Sequence, residues 1–399
     1  MRFVTVLSIV FVSLACRAQE TISWHSSVTD SQIKGMVLIA KSDPAPLVVY
    51  LSHLSSPRIG KETDGKIVAG LKDSGCNVLV LDYANDPKAN GVALCADVLR
   101  LRQDLTKKDA PLAIPGVKID PARIFILPEG YALLRDVEFA RDGSRILAMD
   151  IAYPANPDVP APLLMEFSCD NQNRMGTSSL LYCHDALIEG AMLSGFAAAM
   201  VDHPVTPPYK GLDDPMPQVI HRAKASVRAA RALTQKCNLN GKIGVMGFSR
   251  GGPIAAILAC SNGQKDLEGS GLHLDQSSDV QAALVHGNRY DYLDLLPEDP
   301  MLKRFEKAWG PQKENAEKWA SHGAVYYLRD KAAPMFLNTS DAESPEYRDG
   351  LLKLARRLEA KQITHVHLED KDSRGHRVTT DPDILHEIYK FFDLNLKED

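Results

Sequence analysis

Short apolar runs rich in Val, Ile and Leu alternate along the chain with longer stretches whose apolar residues recur at helical spacing. A strand covered on both faces reads as a continuous apolar run, and the helix that covers it as an amphipathic stripe. The alternation therefore predicts a mainly parallel sheet flanked by helices, the α/β class. In the first part the pattern predicts strands over 46–52 (PLVVYLS), 77–83 (NVLVLDY) and 123–127 (RIFIL), with helices over 66–73, ended by Gly75, and over 92–105. The second part repeats the order. Strands are predicted over 162–167 (PLLMEF), 196–202 (FAAAMVD) and 242–246 (KIGVM), with helices near 187–193 and over 218–236.

Between the parts, 134–152 (LRDVEFARDGSRILAMDIA) alternates around Asp142-Gly143, the pattern of a β-hairpin. Beyond residue 246 the expected order is helix 252–259, strand 280–286, a charged stretch over 291–321, strand 334–338, helix 346–360, strand 364–368 and helix 383–394. The likeness of APLVVYL to APLLMEF, and of SGCNVLVLDY to SGFAAAMVDH, fits an internal duplication. Two independent βαβ units shaped by the same packing rules would look alike too, so both explanations stand at this point.

The first residues belong to neither part. Residues 1–18 carry Arg2, an apolar run from Phe3 to Leu14, and small residues at Cys16 and Ala18, which fits a secretory signal cleaved before Gln19. That run is too short for a stable bilayer span. A lipoprotein signal through Cys16 is the lesser alternative, because Ser13 stands where a bulky aliphatic is preferred. The expected division is then 1–18 for targeting, 19–131 for an N-terminal α/β region and 132–399 for the catalytic domain, in a secreted or periplasmic protein.

With 399 residues, 45% hydrophobic and 24% charged, the chain has the make-up of a globular protein large enough for a sizeable core. Its 46 basic and 51 acidic residues leave no electrostatic footprint for nucleic acid or an anionic membrane. Without Cys16 the cysteines are Cys76, Cys95, Cys169, Cys183, Cys237 and Cys260. Export permits disulfides, and near neighbours suggest Cys76 with Cys95, Cys169 with Cys183 and Cys237 with Cys260; buried reduced thiols are the alternative. Their spacing matches no zinc pattern, and no metal or organic cofactor is implied.

Chemistry is carried by Gly247-Phe248-Ser249-Arg250-Gly251, placed between a predicted strand and the apolar helix that follows. In that setting G-x-S-x-G makes a sharp strand-to-helix turn that lifts the serine hydroxyl clear of the sheet. The flanking glycines let the two backbones approach, and the helix start offers N–H groups to an oxyanion. A serine hydroxyl needs a base to take its proton, and the base needs an orienting carboxylate. In the order serine, acid, histidine, Asp341 just past the strand 334–338 is the expected acid, with Glu343 its nearest rival. His376, in the loop after the strand 364–368, is the expected base. His365 and His367 share one face of that strand and are expected to pack rather than catalyse.

These residues also carry a resemblance. GFSRGG, PMFLNTSDAESP and SRGH before a terminal helix resemble the α/β-hydrolase family over about residues 132 to 396. Within it, DVEFARDGSRILAMDIAYP followed by PAPLLMEF is similar to the opening of secreted carbohydrate acetyl and feruloyl esterases. The resemblance implies an α/β-hydrolase fold, with Ser249 as nucleophile, Asp341 as acid and His376 as base. Arg250 resembles the arginine after the serine in the G-C-S-R arrangement of glucuronoyl esterases, which implies an oxyanion role for its side chain, and its backbone N–H is the expected donor in any case. The family's His-Gly-Gly-Gly loop is replaced by Glu166-Phe167-Ser168-Cys169-Asp170, leaving a backbone N–H of Ser168 or Cys169 as the second donor. The matching turn of the first part, Pro128-Glu129-Gly130-Tyr131, has no serine, so residues 19–131 are expected to be a non-catalytic extension of the sheet.

The expected activity is hydrolysis of a carboxylic ester through an acyl-enzyme on Ser249, on an acyl or uronate ester of a polysaccharide fragment. A serine peptidase of the prolyl-oligopeptidase kind shares the elbow and the chain order, although no propeller-like repeats are present. A hydrolase-like binding protein without catalysis is the reading from another class. Residues 205–218 and 288–321 are the insertions that could roof the pocket. Tyr290, Trp309 and Trp319 could present sugar-stacking faces there, although aromatic residues in a helical insertion more often form core.

Overall fold

The computed structural model describes residues 20–26, 31–40, 45–52, 61–73, 75–82, 100–102, 104–105, 107, 112–119, 124–155, 158, 160–167, 187–203, 216–371 and 374–397. The segment 1–18, Ser168, Cys169 and most of 92–105 and 205–218 lie outside the described residues. The first part holds strands β1 (Glu20–Ser26), β2 (Ser31–Leu38), β3 (Leu47–Ser52), β4 (Asn77–Asp82) and β5 (Ile124–Pro128), with helix α1 (Lys61–Asp73). The second opens with the hairpin β6 (Tyr131–Asp142) and β7 (Arg145–Pro154), then β8 (Ala161–Phe167), α2 (Gly190–Leu193), β9 (Ala197–Val201), α3 (Gln218–Ala232), β10 (Leu239–Gly247) and α4 (Gly251–Cys260). It closes with β11 (Ala282–His286), α5 (Leu302–Trp309), α6 (Ala316–Ser321), α7 (Ala324–Tyr327), β12 (Met335–Ser340), α8 (Pro345–Ala360), β13 (His365–Asp370) and α9 (Pro382–Leu396).

The strands form two sheets rather than one. The first part makes a five-stranded sheet in the order β1-β2-β4-β3-β5, and the second an eight-stranded sheet in the order β13-β12-β11-β10-β8-β9-β7-β6. The N-terminal strands therefore do not extend the catalytic sheet as expected. The order of the smaller sheet nevertheless recurs inside the larger as β6-β7-β9-β8-β10. Pairing directions agree strand by strand: antiparallel hairpin, antiparallel to the next strand, then two parallel pairs. Register agrees as well. Leu47 pairs with Asn77 and Ile124, and Leu163 pairs with Ala197 and Ile243, which superposes APLVVYL on APLLMEF residue for residue. Packing rules explain a shared handedness but not a shared register, so the repeat favours duplication over two independent units.

In that superposition Gly75 (φ 87°) matches Gly195 (φ 84°), and the position of Ser249 is held by Gly130 (φ 80°). There the chain runs directly into β6, no helix follows, and the Gly130 N–H donates to the Tyr50 hydroxyl at 2.8 Å.

The central strands of the second sheet are buried on both faces, which explains their unbroken apolar runs. All residues of β8, β9, β11 and β12 are buried. Successive side chains alternate between faces, so Leu163, Met165 and Phe167 join one core while Leu164 joins the other. Helix α4 is apolar all round and wholly buried, as a helix enclosed on every side must be.

The second core fills the space between the two sheets. It joins Val48, Tyr50, Phe125 and Leu127 of the first sheet to Leu164, Met246 and Leu284 of the second through α1, α2 and the α9 stripe Leu385, Ile388, Tyr389, Phe392 and Leu396. Each such side chain contributes roughly 1.5–3 kcal/mol on burial, so the first part is packed on rather than tethered. A buried Arg102–Glu189 ion pair crosses the same seam.

The expected Cys237–Cys260 disulfide is absent: both are free thiols, and burial pushes the Cys237 thiol up to about 11 and that of Cys260 higher still. The other two expected pairs each include a cysteine outside the described residues.

Candidate active site

Four consecutive strands of the larger sheet deliver the site at their C-terminal ends, where open α/β sheets collect functional groups. Ser249 follows β10, Asn288 follows β11, Glu343 follows β12 and His376 follows β13. Ser249 stands at φ 51°, in the left-handed region, a conformation that costs a non-glycine residue about 1–3 kcal/mol. Local contacts hold it there. The Ser249 carbonyl accepts from the Gly252 N–H at 3.1 Å and from the Asn288 side-chain amide. A Cβ on Gly247 would lie 2.2 Å from the Gly251 carbonyl oxygen, so this close approach requires glycine. On the helix side, Tyr290 donates its hydroxyl to the His286 carbonyl beneath Gly252.

His376 Nε2 lies 3.1 Å from Ser249 Oγ, and His376 Nδ1 lies 2.7 Å from Glu343 Oε2. A carboxylate can only accept, so Nδ1 carries the proton and Nε2 is left to accept the serine hydroxyl. The rings of Phe248 and Tyr347 flank the imidazole, with centroids 4.8 and 4.7 Å away. Glu343 is only 6% exposed, yet both of its oxygens are used. Oε2 takes the imidazole N–H, and Oε1 accepts the Ser344 N–H at 2.8 Å, at the start of α8, where the helix dipole favours an anion.

The structure brings Ser249 and His376 together but corrects the acid: the carboxylate at the imidazole is Glu343, not Asp341. The Asp341 N–H is paired to the Asp370 carbonyl at 2.8 Å, which leaves Asp341 at the strand end. The chain then turns, with the Glu343 N–H reaching back to the Ser340 carbonyl at 3.1 Å, and this turn aims the longer Glu343 side chain inward. Gly287 leaves room for it, since a Cβ there would sit 3.3 Å from the Glu343 carboxylate. Arg250 is the half-buried residue that caps the start of α4, directly after Ser249. On β13, His365 Nδ1 lies 3.1 Å from the Ile363 carbonyl oxygen, while His367 is exposed rather than packed.

Tyr290, Trp309 and Trp319 do not line a sugar platform. They are 0%, 2% and 1% exposed. The two tryptophans form a small core with Tyr292 and Phe305, in which Phe305 and Trp309 stack at 4.9 Å. Two further residues escaped sequence reasoning. Asn288 has no motif around it, and His286 lies inside a predicted strand. His286 packs edge-on to Phe248, and burial, with the Arg374 and His376 charges nearby, holds its imidazole down to about 3. It stays neutral at physiological pH. Among the described residues no group of side chains is arranged to hold a metal ion.

Residues 149–345 match the BD-FAE family model. No curated protein matches the chain. Among solved structures it is similar to a truncated carbohydrate esterase from gut microbiota, at 20% identity and TM-score 0.56, over 68% of this chain and 98% of that one. A bifunctional GH43-CE protein of Bacteroides eggerthii aligns at 21% identity and TM-score 0.55, over 66% of this chain and 38% of its own. An acetyl ester-xyloside bifunctional hydrolase from Caldicellulosiruptor lactoaceticus aligns at 16% identity and TM-score 0.50, over 65% of this chain and 96% of its own. At these identities the likeness establishes the fold.

Proposed function

We propose that this chain, an esterase-like α/β-hydrolase, hydrolyses a carboxylic ester on a polysaccharide fragment through an acyl-enzyme on Ser249. The observation that carries the reading is His376 bridging Ser249 Oγ and the buried Glu343 carboxylate. In the first step Ser249 Oγ attacks the ester carbonyl carbon while His376 Nε2 takes its proton, and Glu343 stabilises the imidazolium. The tetrahedral intermediate collapses, and His376 returns the proton to the departing alcohol oxygen. Water then attacks the acyl-enzyme by the same route, releasing the acid and restoring the serine.

The Arg250 backbone N–H and that of Ser168 or Cys169, following β8, are our proposed oxyanion donors, and we assign the Arg250 side chain a supporting role in stabilising the developing charge. Losing one such donor typically costs about 10² to 10³ in rate, so the altered loop after β8 is compatible with a working enzyme. We place the catalytic unit at 132–399 and read 19–131 as a non-catalytic support, since Gly130 stands where the second copy has its serine. The leader-like residues 1–18 support export, to the periplasm or beyond. Among the described residues no helix is long and apolar enough to cross a membrane.

A panel of acetylated, feruloylated and methyl-glucuronate saccharides, run beside peptide substrates, tests this. Turnover of one ester class with none of the peptides is expected. Peptide cleavage without ester cleavage would overturn it.

A further inference from the structure

The base sits on a short turn, and that turn is held from beneath by a closed ring of three polar side chains. Arg374, two residues before His376, is ion-paired to Asp370 at the end of β13. Asp370 Oδ1 accepts from Asn338 Nδ2, on β12, at 2.6 Å. Asn338 Oδ1 accepts from the Arg374 guanidinium at 3.0 Å, which closes the ring. The side chains of Arg374 and Asp370 are 9% and 1% exposed, so the pair is shielded from solvent and little screened.

The ring reaches both the turn that carries the imidazole and the turn that aims its carboxylate partner. On one side Arg374 Nε donates to the Arg377 carbonyl at 2.8 Å, so the guanidinium spans the turn that contains Gly375 (φ 67°) and His376. On the other, the Asp370 carbonyl accepts the Asp341 N–H at 2.8 Å, at the start of the turn that aims Glu343. A rotation of the 374–377 turn would pull Nδ1 from Glu343 and Nε2 from Ser249 together. Among the described residues, the ring ties that turn to β12 through Asn338.

We infer that Arg374, locked by Asp370 and Asn338, is a positioning residue that holds His376 in register with Glu343 and Ser249. This rests on the catalytic reading given above. Arg374 touches none of the reacting atoms, and its effect is transmitted through the backbone of the base loop.

The test compares wild type with Arg374→Ala, and with the paired Asp370→Asn/Arg374→Gln variant, which removes both buried charges and so protects folding. Turnover of p-nitrophenyl acetate is measured with and without millimolar guanidinium, and proton NMR follows the far-downfield Nδ1–H signal, assigned by its loss in His376→Ala. Because a misplacement of about 1 Å can cost 10²-fold, kcat should fall roughly 10- to 100-fold while KM changes less than about twofold. The downfield signal should broaden or vanish, and guanidinium should restore part of both in Arg374→Ala. An unchanged signal and turnover within about twofold of wild type in the folded paired variant would overturn the inference. Wild type that shows the signal but cleaves no ester would instead defeat the esterase reading, and loss of the signal on breaking the ring would still decide the role of Arg374.

Discussion

Replacing Glu343 by Gln should disable the enzyme, whereas replacing Asp341 by Asn should leave it nearly intact. Glu343 Oε2 lies 2.7 Å from His376 Nδ1 and the carboxylate is buried, so the contact cannot pass to water. A glutamine amide keeps the shape but sheds the charge, and its NH2 group, if turned toward Nδ1, selects the tautomer whose Nε2 carries the proton. That tautomer cannot accept from Ser249 Oγ. The corresponding change in a well-studied serine triad lowers kcat by about 10⁴, equivalent to about 5 kcal/mol of transition-state stabilisation. The site here is more open, the His376 side chain being 32% exposed, so we expect 10³ to 10⁴ for Glu343→Gln. The carboxylate hydrogen-bonded to the imidazole is that of Glu343, so Asp341→Asn, at a half-buried strand-end position, should stay within about fivefold. Steady-state kinetics on p-nitrophenyl acetate, with circular dichroism to confirm folding, is the assay. Near-wild-type turnover in Glu343→Gln with collapse in Asp341→Asn would refute the assignment.

Other consequences can be checked on the same protein. His286 is held neutral to about pH 3, well below an ordinary histidine, so on acidification the unfolded chain takes up a proton that the folded one refuses. The contribution is fully present above about pH 6.5 and is lost as pH falls toward 3, at up to about 1.4 kcal/mol per pH unit. Urea midpoints between pH 7 and 4.5 should fall less steeply in His286→Gln than in wild type, and parallel curves would show that His286 is not the group responsible. Asn288→Ala removes the side-chain donor on the strained Ser249 carbonyl, and kcat should drop about tenfold, in keeping with roughly 1.4 kcal/mol for a lost buried hydrogen bond. Equal turnover in the two proteins would mean that the elbow holds its shape without that donor.

Most of the larger sheet was readable because its central strands are buried on both faces and so appear as unbroken apolar runs, as in PLLMEF and KIGVM. The elbow was readable from the same cause: an apolar strand, a glycine-flanked serine and an apolar helix leave the chain one way to turn. The hairpin β1–β2 was missed. Its buried residues, Ile22, Trp24, Ile33 and Val37, are interleaved with polar ones on a strand pair covered on one face, and so make no continuous run. Sheet membership was not legible either, because the edge on which a strand pairs is settled by tertiary packing. Asp341 and Glu343 both follow β12, and which one turns inward depends on a backbone reversal that residue types alone do not reveal. Asn288 is a lone polar residue after a strand, and its role exists only once Ser249 is folded beside it.

The most direct measurement is covalent labelling with a fluorophosphonate, read by intact mass and peptide mapping. One adduct per chain on Ser249 is predicted, absent in Ser249→Ala and slowed by orders of magnitude in His376→Ala. Labelling that persists in Ser249→Ala, or a folded wild-type protein that never reacts, would contradict the account.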